Sequence, residues 1–508
     1  MTARKATGAA RARPAARARG EVVAPPATAI VHVSAEYAPW AREGSLGYAV
    51  SELARAQAAG GRTVLVIVPA YPGVRDDHPD LVPVGVPFEV RLGNTSTLVS
   101  LLGELDPADG APGLLFVDHR PSFDRAGIYG DAAGPYEDNA QRFALFSRAA
   151  VQVALRMMDG PTVIHAHDWH AALALVYLRA DGALATRGAP AGAVLSVHDA
   201  AYQGHLTPDM MPVLGLPQRL FNHHELEWYG RVNLLKGGLA FADVATATSR
   251  THADELRSAE GGFGLHGMFA RLGSDFRGID DGLDAKAWNP ATDGALVATF
   301  GPSSAAARAR SKAALQRAVK WPLRVNVPLI VVPGPHTRRS GVSLALASAV
   351  VRDGPARVLF TGPAEGSARE AIAALAAAHP DRIAAIPDCS ERLLRRALAG
   401  ADVVAMPSLY EPGTMPAFRA LRYGAVVVGR RTGALVDALG ECDDACLFDA
   451  YTAEALDAAL GVALDRARDR AGAVARVRAA LARDSGWAQA VAAYDAVYQR
   501  ALDARSLT

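Results

Sequence analysis

Residues 28–69, TAIVHVSAEYAPWAREGSLGYAVSELARAQAAGGRTVLVIVP, hold the pattern from which the rest of the chain can be read. Residues 29–33 are a short apolar run of the kind that is buried on both faces of a parallel sheet. A Gly-containing turn and a helix-like stretch over 46–58 follow, stopped by Gly60 and Gly61. A second β-rich run, 64–68, closes a β-α-β unit. The alternation continues through 114–117, 162–164 and 193–197, which predicts a doubly wound α/β domain. It restarts at 329–332, 357–360, 382–386 and 402–406 between Ala-rich helical stretches such as 370–378, giving a second sheet domain. The polar segment 288–301, with Asn289, Pro290 and Gly294, is expected to link them beside a cleft. Ser485 is expected to cap a last helix, 484–505, whose Trp487, Val491, Tyr494, Tyr498 and Leu502 fall at helical spacing and pack back on the first domain. The expected units are thus a tail over 1–27, domains over 28–290 and 300–480, and this helix.

A chain of 508 residues exceeds what one core supports, in keeping with two domains. Lys and Arg number 53 against 52 Asp and Glu, so no global field favours nucleic acid or an anionic membrane. No apolar run reaches the ~20 residues of a bilayer span. Three cysteines, Cys389, Cys442 and Cys446, make no disulfide framework and suggest a reducing, cytoplasmic setting. Residues 1–20 carry six basic and no acidic side chains without an apolar stretch, which reads as a disordered basic tail.

Chemistry concentrates in a few motifs. His165-Ala166-His167-Asp168-Trp169-His170 follows one strand, and Val197-His198-Asp199-Ala200-Ala201-Tyr202-Gln203-Gly204 follows the next. DNAQRFALFSRA begins at Asp138, YGRVNLLKGG at Tyr229, and Gly282-Leu283-Asp284 precedes WNPATD. Met406-Pro407-Ser408 runs into Glu411-Pro412, and Ala420-Leu421-Arg422-Tyr423-Gly424 precedes RRTGAL. In this order, from about residue 28 to 500, they closely resemble bacterial glycogen synthases and plant starch synthases. That resemblance implies a GT-B fold, two Rossmann-like domains facing a cleft. It also implies retaining transfer of glucose from ADP-glucose to the nonreducing end of an α-1,4-glucan, without a metal. The expected partners are therefore a nucleotide sugar and an α-glucan, not nucleic acid or membrane.

Breaking a glycosidic bond to a nucleoside diphosphate develops oxocarbenium character on the sugar and negative charge on the leaving phosphate, and a catalyst must stabilise both. By position, the resemblance makes His198 the histidine beside the transferred glucose. Asp168 and Trp169 become a sugar-pocket pair, and Glu411 the second domain's carboxylate at the donor sugar. A capping carboxylate and a core aromatic is the alternative for Asp168 and Trp169, and a helix cap for Glu411. Tyr202, Gln203 and Asp281 join the substrate side. His165, His167 and His170, two residues apart on an extended segment, are expected to alternate faces and not to share a metal.

The phosphate end departs from the family. Its first loop, K-T-G-G-L-A-D, is here Arg42-Glu43-Gly44-Ser45-Leu46-Gly47-Tyr48. Arg42 keeps the charge beside Gly44, while Glu43, Ser45 and Tyr48 bring a carboxylate, remove a glycine and remove an aspartate. The second, R-L-T-x-Q-K-G, is Pro335-His336-Thr337-Arg338-Arg339-Ser340-Gly341, so both cations are gone and Arg338 and Arg339 are the candidates to replace them. The third, E-P-C-G-L-T-Q, is Glu411-Pro412-Gly413-Thr414-Met415-Pro416-Ala417. Backbone N–H groups at Gly413, Thr414 and Met415 remain as phosphate donors there, and Pro416 does not. By analogy with arginine in phosphoryl transfer, loss of such charge changes rates by roughly 10³ to 10⁵-fold. Three readings stay open: an active synthase with relocated cations, an impaired glucan-binding or regulatory homologue, and an enzyme for another sugar nucleotide.

Overall fold

A computed structural model describes residues 28–506 apart from 79, 105–107, 132, 158–159 and 441; the expected basic tail lies outside the described residues. The first sheet is built on parallel strands β1 (Ala29–Val33), β2 (Thr63–Pro69), β3 (Gly113–Asp118), β4 (Thr162–His167), β5 (Gly192–Val197), β6 (Val244–Ala247) and β7 (Phe276–Gly278). Their order is β7-β6-β5-β4-β1-β2-β3, extended past β3 by antiparallel edge strands within 82–103. β1, β4 and β5 are buried along their whole length, as central strands covered on both faces must be.

The second sheet is wholly parallel. It comprises β8 (Leu329–Pro333), β9 (Arg357–Thr361), β10 (Ile383–Ile386), β11 (Val403–Met406), β12 (Val426–Arg430) and β13 (Ala445–Phe448), ordered β10-β9-β8-β11-β12-β13. The helices that matter below are α1 (Leu46–Ala59), α2 (Asp168–Ala180), α3 (Glu391–Gly400), α4 (Met415–Arg422) and α5 (Ala488–Ser506). In both sheets the loops that leave the strand C-termini meet in one cleft, where doubly wound sheets bind ligands.

Three sequence expectations differ from what is observed. Segment 288–301 is no loose linker: Trp288, Leu296 and Phe300 are buried in the second half's core. Trp288 lies between two guanidiniums, Arg395 at 3.8 Å and Arg419 at 4.2 Å from its ring centre. Ser485 does not cap the last helix, which starts at Ala488; its carbonyl accepts from the Leu283 amide at 2.7 Å instead. His165 and His167 share a face, because residues two apart on a strand point the same way; their rings are 4.2 Å apart. His170 departs from them because it sits in α2.

α5 closes the first half from the far end of the chain. Trp487, Val491, Tyr494, Val497 and Tyr498 belong to the same core as the strands of the first sheet. The Trp487 indole donates to Glu52 at 2.9 Å.

Candidate active site

The first-half wall of the cleft is made where β4 and β5 end. Asp168 opens α2 with φ at 56°, a left-handed conformation that costs a non-glycine residue roughly 1–3 kcal/mol and persists only where surroundings over-determine it. Its Oδ1 accepts from the His198 amide at 2.7 Å and the Asp199 amide at 3.3 Å. The carboxylate therefore tethers the turn after β5, and burial raises its pKa well above the usual range. His198 is 8% exposed and its pKa is lowered to about 4 by burial, so it is neutral at physiological pH. Trp169 packs edge-on against Phe143, and Gly204 passes beneath it so closely that a Cβ would lie 2.6 Å from the indole.

The side-chain amide of the expected substrate residue Gln203 is fully engaged with protein neighbours. It donates to the carbonyls of Ala200 at 2.8 Å and Phe263 at 3.0 Å and accepts from Asn233 at 2.6 Å. Asp281 is buried, and its carbonyl accepts from the Thr414 hydroxyl at 2.9 Å.

From the second half, the loop after β8 reaches across. Ser340, at the family's lysine position, folds back on Thr337 through hydrogen bonds of 3.0 and 3.2 Å. Gly341 has φ at 75° and lies against the Pro407 carbonyl, where a Cβ would come within 1.8 Å. That contact brings the loop against the β11 loop: the Arg339 carbonyl accepts from the amides of Leu409 at 2.8 Å and Tyr410 at 3.2 Å. The Arg339 guanidinium then lies 3.5 Å from the Asp199 carboxylate and 4.5 Å over the Tyr202 ring. Arg338 is exposed and turned to solvent.

Glu411 follows on the same wall. Its Oε2 accepts from the Ser408 hydroxyl at 3.0 Å, and burial raises its pKa to about 7, with Ser408 and the Gly413 amide opposing the shift. Tyr410 ties the walls together through a 2.7 Å bond to His252. Thr248 also donates to the Pro412 carbonyl. The cleft corner thus gathers His198, Asp199, Tyr202, Arg339 and Glu411. Sequence reading singled out four of these; Asp199 went unweighed as one carboxylate within a motif.

The first loop is arranged differently. The amides of Glu43 and Gly44 donate to the buried Glu36 carboxylate at 2.9 and 3.3 Å, and Tyr129 donates to its other oxygen at 2.6 Å. Arg42 lies 5.3 Å from the centre of the Tyr48 ring. Tyr48 in turn bonds Glu391 at the start of α3 and lies 4.3 Å under Arg419, so it joins α1 to the second half. Gly413 and Thr414 precede α4; Met415 is its first residue, with its sulfur 3.8 Å from Arg419.

His32, His165 and His167 are the one group among the described residues whose potential ligand atoms lie within 4.8 Å of one another. Every ring nitrogen of the three already has a hydrogen-bond partner. Burial holds them neutral, His32 at about 4. The cluster is therefore satisfied as a hydrogen-bonded layer.

The starch synthase catalytic-domain family matches residues 29–271, and glycosyl transferases group 1 matches 328–466. A glycogen synthase of Anaeromyxobacter dehalogenans (strain 2CP-C) is 36% identical over 479 residues, 92% of this chain and 99% of the relative. The chain belongs to the glycogen synthase family. Glycogen synthase 2 of Geobacter sulfurreducens is 32% identical over 489 residues, covering 94% and 99%. Among solved structures, the catalytic domain of starch synthase IV from Arabidopsis thaliana bound to ADP and acarbose is 26% identical with a TM-score of 0.84, covering 93% of this chain and 99% of that one. Sucrose-phosphate synthase from Thermosynechococcus elongatus, 17% identical with a TM-score of 0.60 over 94% and 100%, shares the fold. The chain is thus a GT-B glucosyltransferase of the glycogen and starch synthase type. Among the described residues no helix is long and apolar enough to cross a membrane.

Proposed function

We propose that this glycogen synthase homologue transfers glucose from ADP-glucose, with retention, to the nonreducing end of an α-1,4-glucan, using Arg339 where its relatives use other cations. The observation that carries the reading is the Arg339 side chain, which crosses from the second half to stand 3.5 Å from Asp199 in the corner shared with His198 and Glu411. A guanidinium at a leaving diphosphate supplies charge-assisted hydrogen bonds where negative charge develops. The donor is supported by the likeness to the starch synthase IV catalytic domain, whose structure holds ADP.

In this reading His198 and Trp169 meet the hexose, and Asp168 positions His198 through its backbone. Glu411 faces the donor sugar, and the α4 start supplies amide donors at Gly413 to Met415. Arg42, Gly44, Tyr202 and Asp281 are substrate-side positions. The chemistry asks for no metal.

The experiment is a glucan-extension assay with ADP-, UDP- and GDP-glucose on the parent, Arg338→Ala and Arg339→Ala. Arg339→Ala should lose about 10² to 10³-fold in kcat, the scale of one transition-state donor. Arg338→Ala should stay within about threefold, as an exposed arginine would. Equal effects at both positions would remove the assignment of Arg339. A parent that binds maltooligosaccharide in calorimetry yet neither binds ADP at millimolar concentration nor extends glucan would establish the second reading, a glucan-binding homologue. The specific observation behind that second reading is the Glu36 carboxylate occupying the amides of Glu43 and Gly44.

A further inference from the structure

The histidine layer under the cleft ends on Gln57 of α1, a buried residue 25 positions from His32 in sequence. Its carbonyl oxygen lies 2.8 Å from His32 Nε2, and its amide nitrogen donates to the Tyr498 hydroxyl at 2.8 Å. From there the donors and acceptors are determined, because a neutral imidazole has one of each. His32 must donate from Nε2 to the Gln57 oxygen, which leaves its Nδ1 an acceptor. The contact of 2.9 Å to His167 Nε2 is then a donation by His167, whose Nδ1 becomes the acceptor. The contact of 3.0 Å between His167 Nδ1 and His198 Nε2 is a donation by His198. His198 is left with an unprotonated Nδ1, which has no partner among the described residues.

The other branch runs through the last helix and is consistent with the first. Tyr498, accepting from Gln57, donates to His165 Nδ1 at 3.0 Å. His165 then donates from Nε2 to Ser196 at 2.7 Å, and Ser196 has Thr246 at 2.7 Å as its next partner. Turning the Gln57 amide end for end would force all four rings to move their protons, so one amide and four tautomers form a single coupled variable. Burial keeps the rings neutral, the condition under which the coupling is strict.

The geometry points to Gln57, His32 and His167 as positioning residues that hold His198 as its Nε2–H tautomer, so that the nitrogen offered to the cleft is a hydrogen-bond acceptor for a sugar hydroxyl. Its consequence for the sugar rests on the proposed contact between His198 and the hexose; the tautomer itself does not. Gln57 therefore selects the polarity of a contact that it does not touch.

The test is a long-range ¹H–¹⁵N correlation spectrum of full-length protein with ¹⁵N-labelled histidine, at pH 7.5 without sugar or nucleotide, with His198 assigned by comparison with His198→Ala. His32, His165, His167 and His198 are expected as Nε2–H tautomers. In Gln57→Glu both carboxylate oxygens accept. His32, His167 and His198 should keep their tautomers, whereas Tyr498 must turn its proton to the carboxylate and His165 becomes Nδ1–H. In Gln57→Leu the bias is gone, and His198 should show both tautomers.

A parent His198 protonated on Nδ1, or a His198 signal unmoved by Gln57→Leu, overturns the inference. If the leucine variant does not fold, the parent spectrum and the His165 switch in Gln57→Glu still decide. Activity then reads the sugar contact separately. Gln57→Leu should lower kcat/KM for ADP-glucose by the factor by which its spectrum shows the Nε2–H tautomer depleted, about twofold at equal populations, while Gln57→Glu keeps the parental value. A tautomer pattern as expected with unchanged kcat/KM would count against the His198–hexose contact and leave the wire standing.

Discussion

Arg339 and Asp199 face one another at 3.5 Å with both side chains partly open to solvent, a pairing worth about 0–1 kcal/mol. A diphosphate carries more charge and accepts bidentate donation, so it should displace Asp199 from the guanidinium at little cost. Asp199→Asn is then expected to tighten ADP severalfold in calorimetry, because Arg339 is released and a like charge is removed; weaker ADP binding would contradict that role for the arginine. Glu411 gives a pH signature. Burial raises its pKa from 4.5 to about 7, so the fold favours the protonated form, and ionisation across that interval costs stability. Thermal melts from pH 4.5 to 7 should show less loss with rising pH in Glu411→Gln than in the parent. At this scale motif position marked His198 and Glu411 as candidates, and the two missing family cations marked Arg338 and Arg339 together without choosing between them. His32 was not marked, since a histidine inside an apolar run looks like any satisfied core histidine until its partners across 135 positions are known.

The loop after β8 depends on one backbone position. Gly341 combines φ at 75° with the Pro407 carbonyl where a Cβ would sit at 1.8 Å, so any side chain must push the β8 and β11 loops apart. Gly341→Ala should destabilise by at least about 2 kcal/mol in chemical denaturation and displace Arg339, lowering activity as far as Arg339→Ala does. A variant with parental stability and rate would show that the two loops are not held by this contact. Elements with strong apolar runs, β1, β2, β5 and β8, could be read directly. β6 and β7 could not, because three or four residues carry too little periodicity; the edge strands within 82–103 also went unread, although 88–92, FEVRL, alternates apolar and polar residues. Tyr48 illustrates the same limit. Its substitution was visible, but its bond to Glu391, 343 positions away, belongs to tertiary packing.

Across the whole molecule, the described residues of the first half include six buried neutral histidines, His32, His165, His167, His170, His198 and His252, whose pKa values burial lowers from 6.5. A base held neutral by the fold contributes stability above its unfolded pKa, and that contribution is lost as pH falls from 6.5 toward 4. Acid unfolding of the first half should therefore steepen across this window, and His32→Gln should soften it in circular-dichroism titrations. A transition of parental steepness in His32→Gln would refute the assignment. Removing residues 484–506 is expected to unfold the first half. Each of Trp487, Val491, Tyr494, Val497 and Tyr498 buries about 1.5–3 kcal/mol of apolar side chain, together comparable to a domain's whole stability. Soluble truncated protein with the parental near-ultraviolet spectrum would refute this.

The position of α5 also constrains biosynthesis. The opening segment of the polypeptide leaves the ribosome hundreds of residues before Tyr498, which completes the hydrogen bonds of Gln57 and His165. Domains usually fold one by one as the chain emerges, but here part of the first half's core comes from α5, so that core is complete only once α5 has been made. The seam between that core and α5 closes on residues made only after the whole second half has been synthesised.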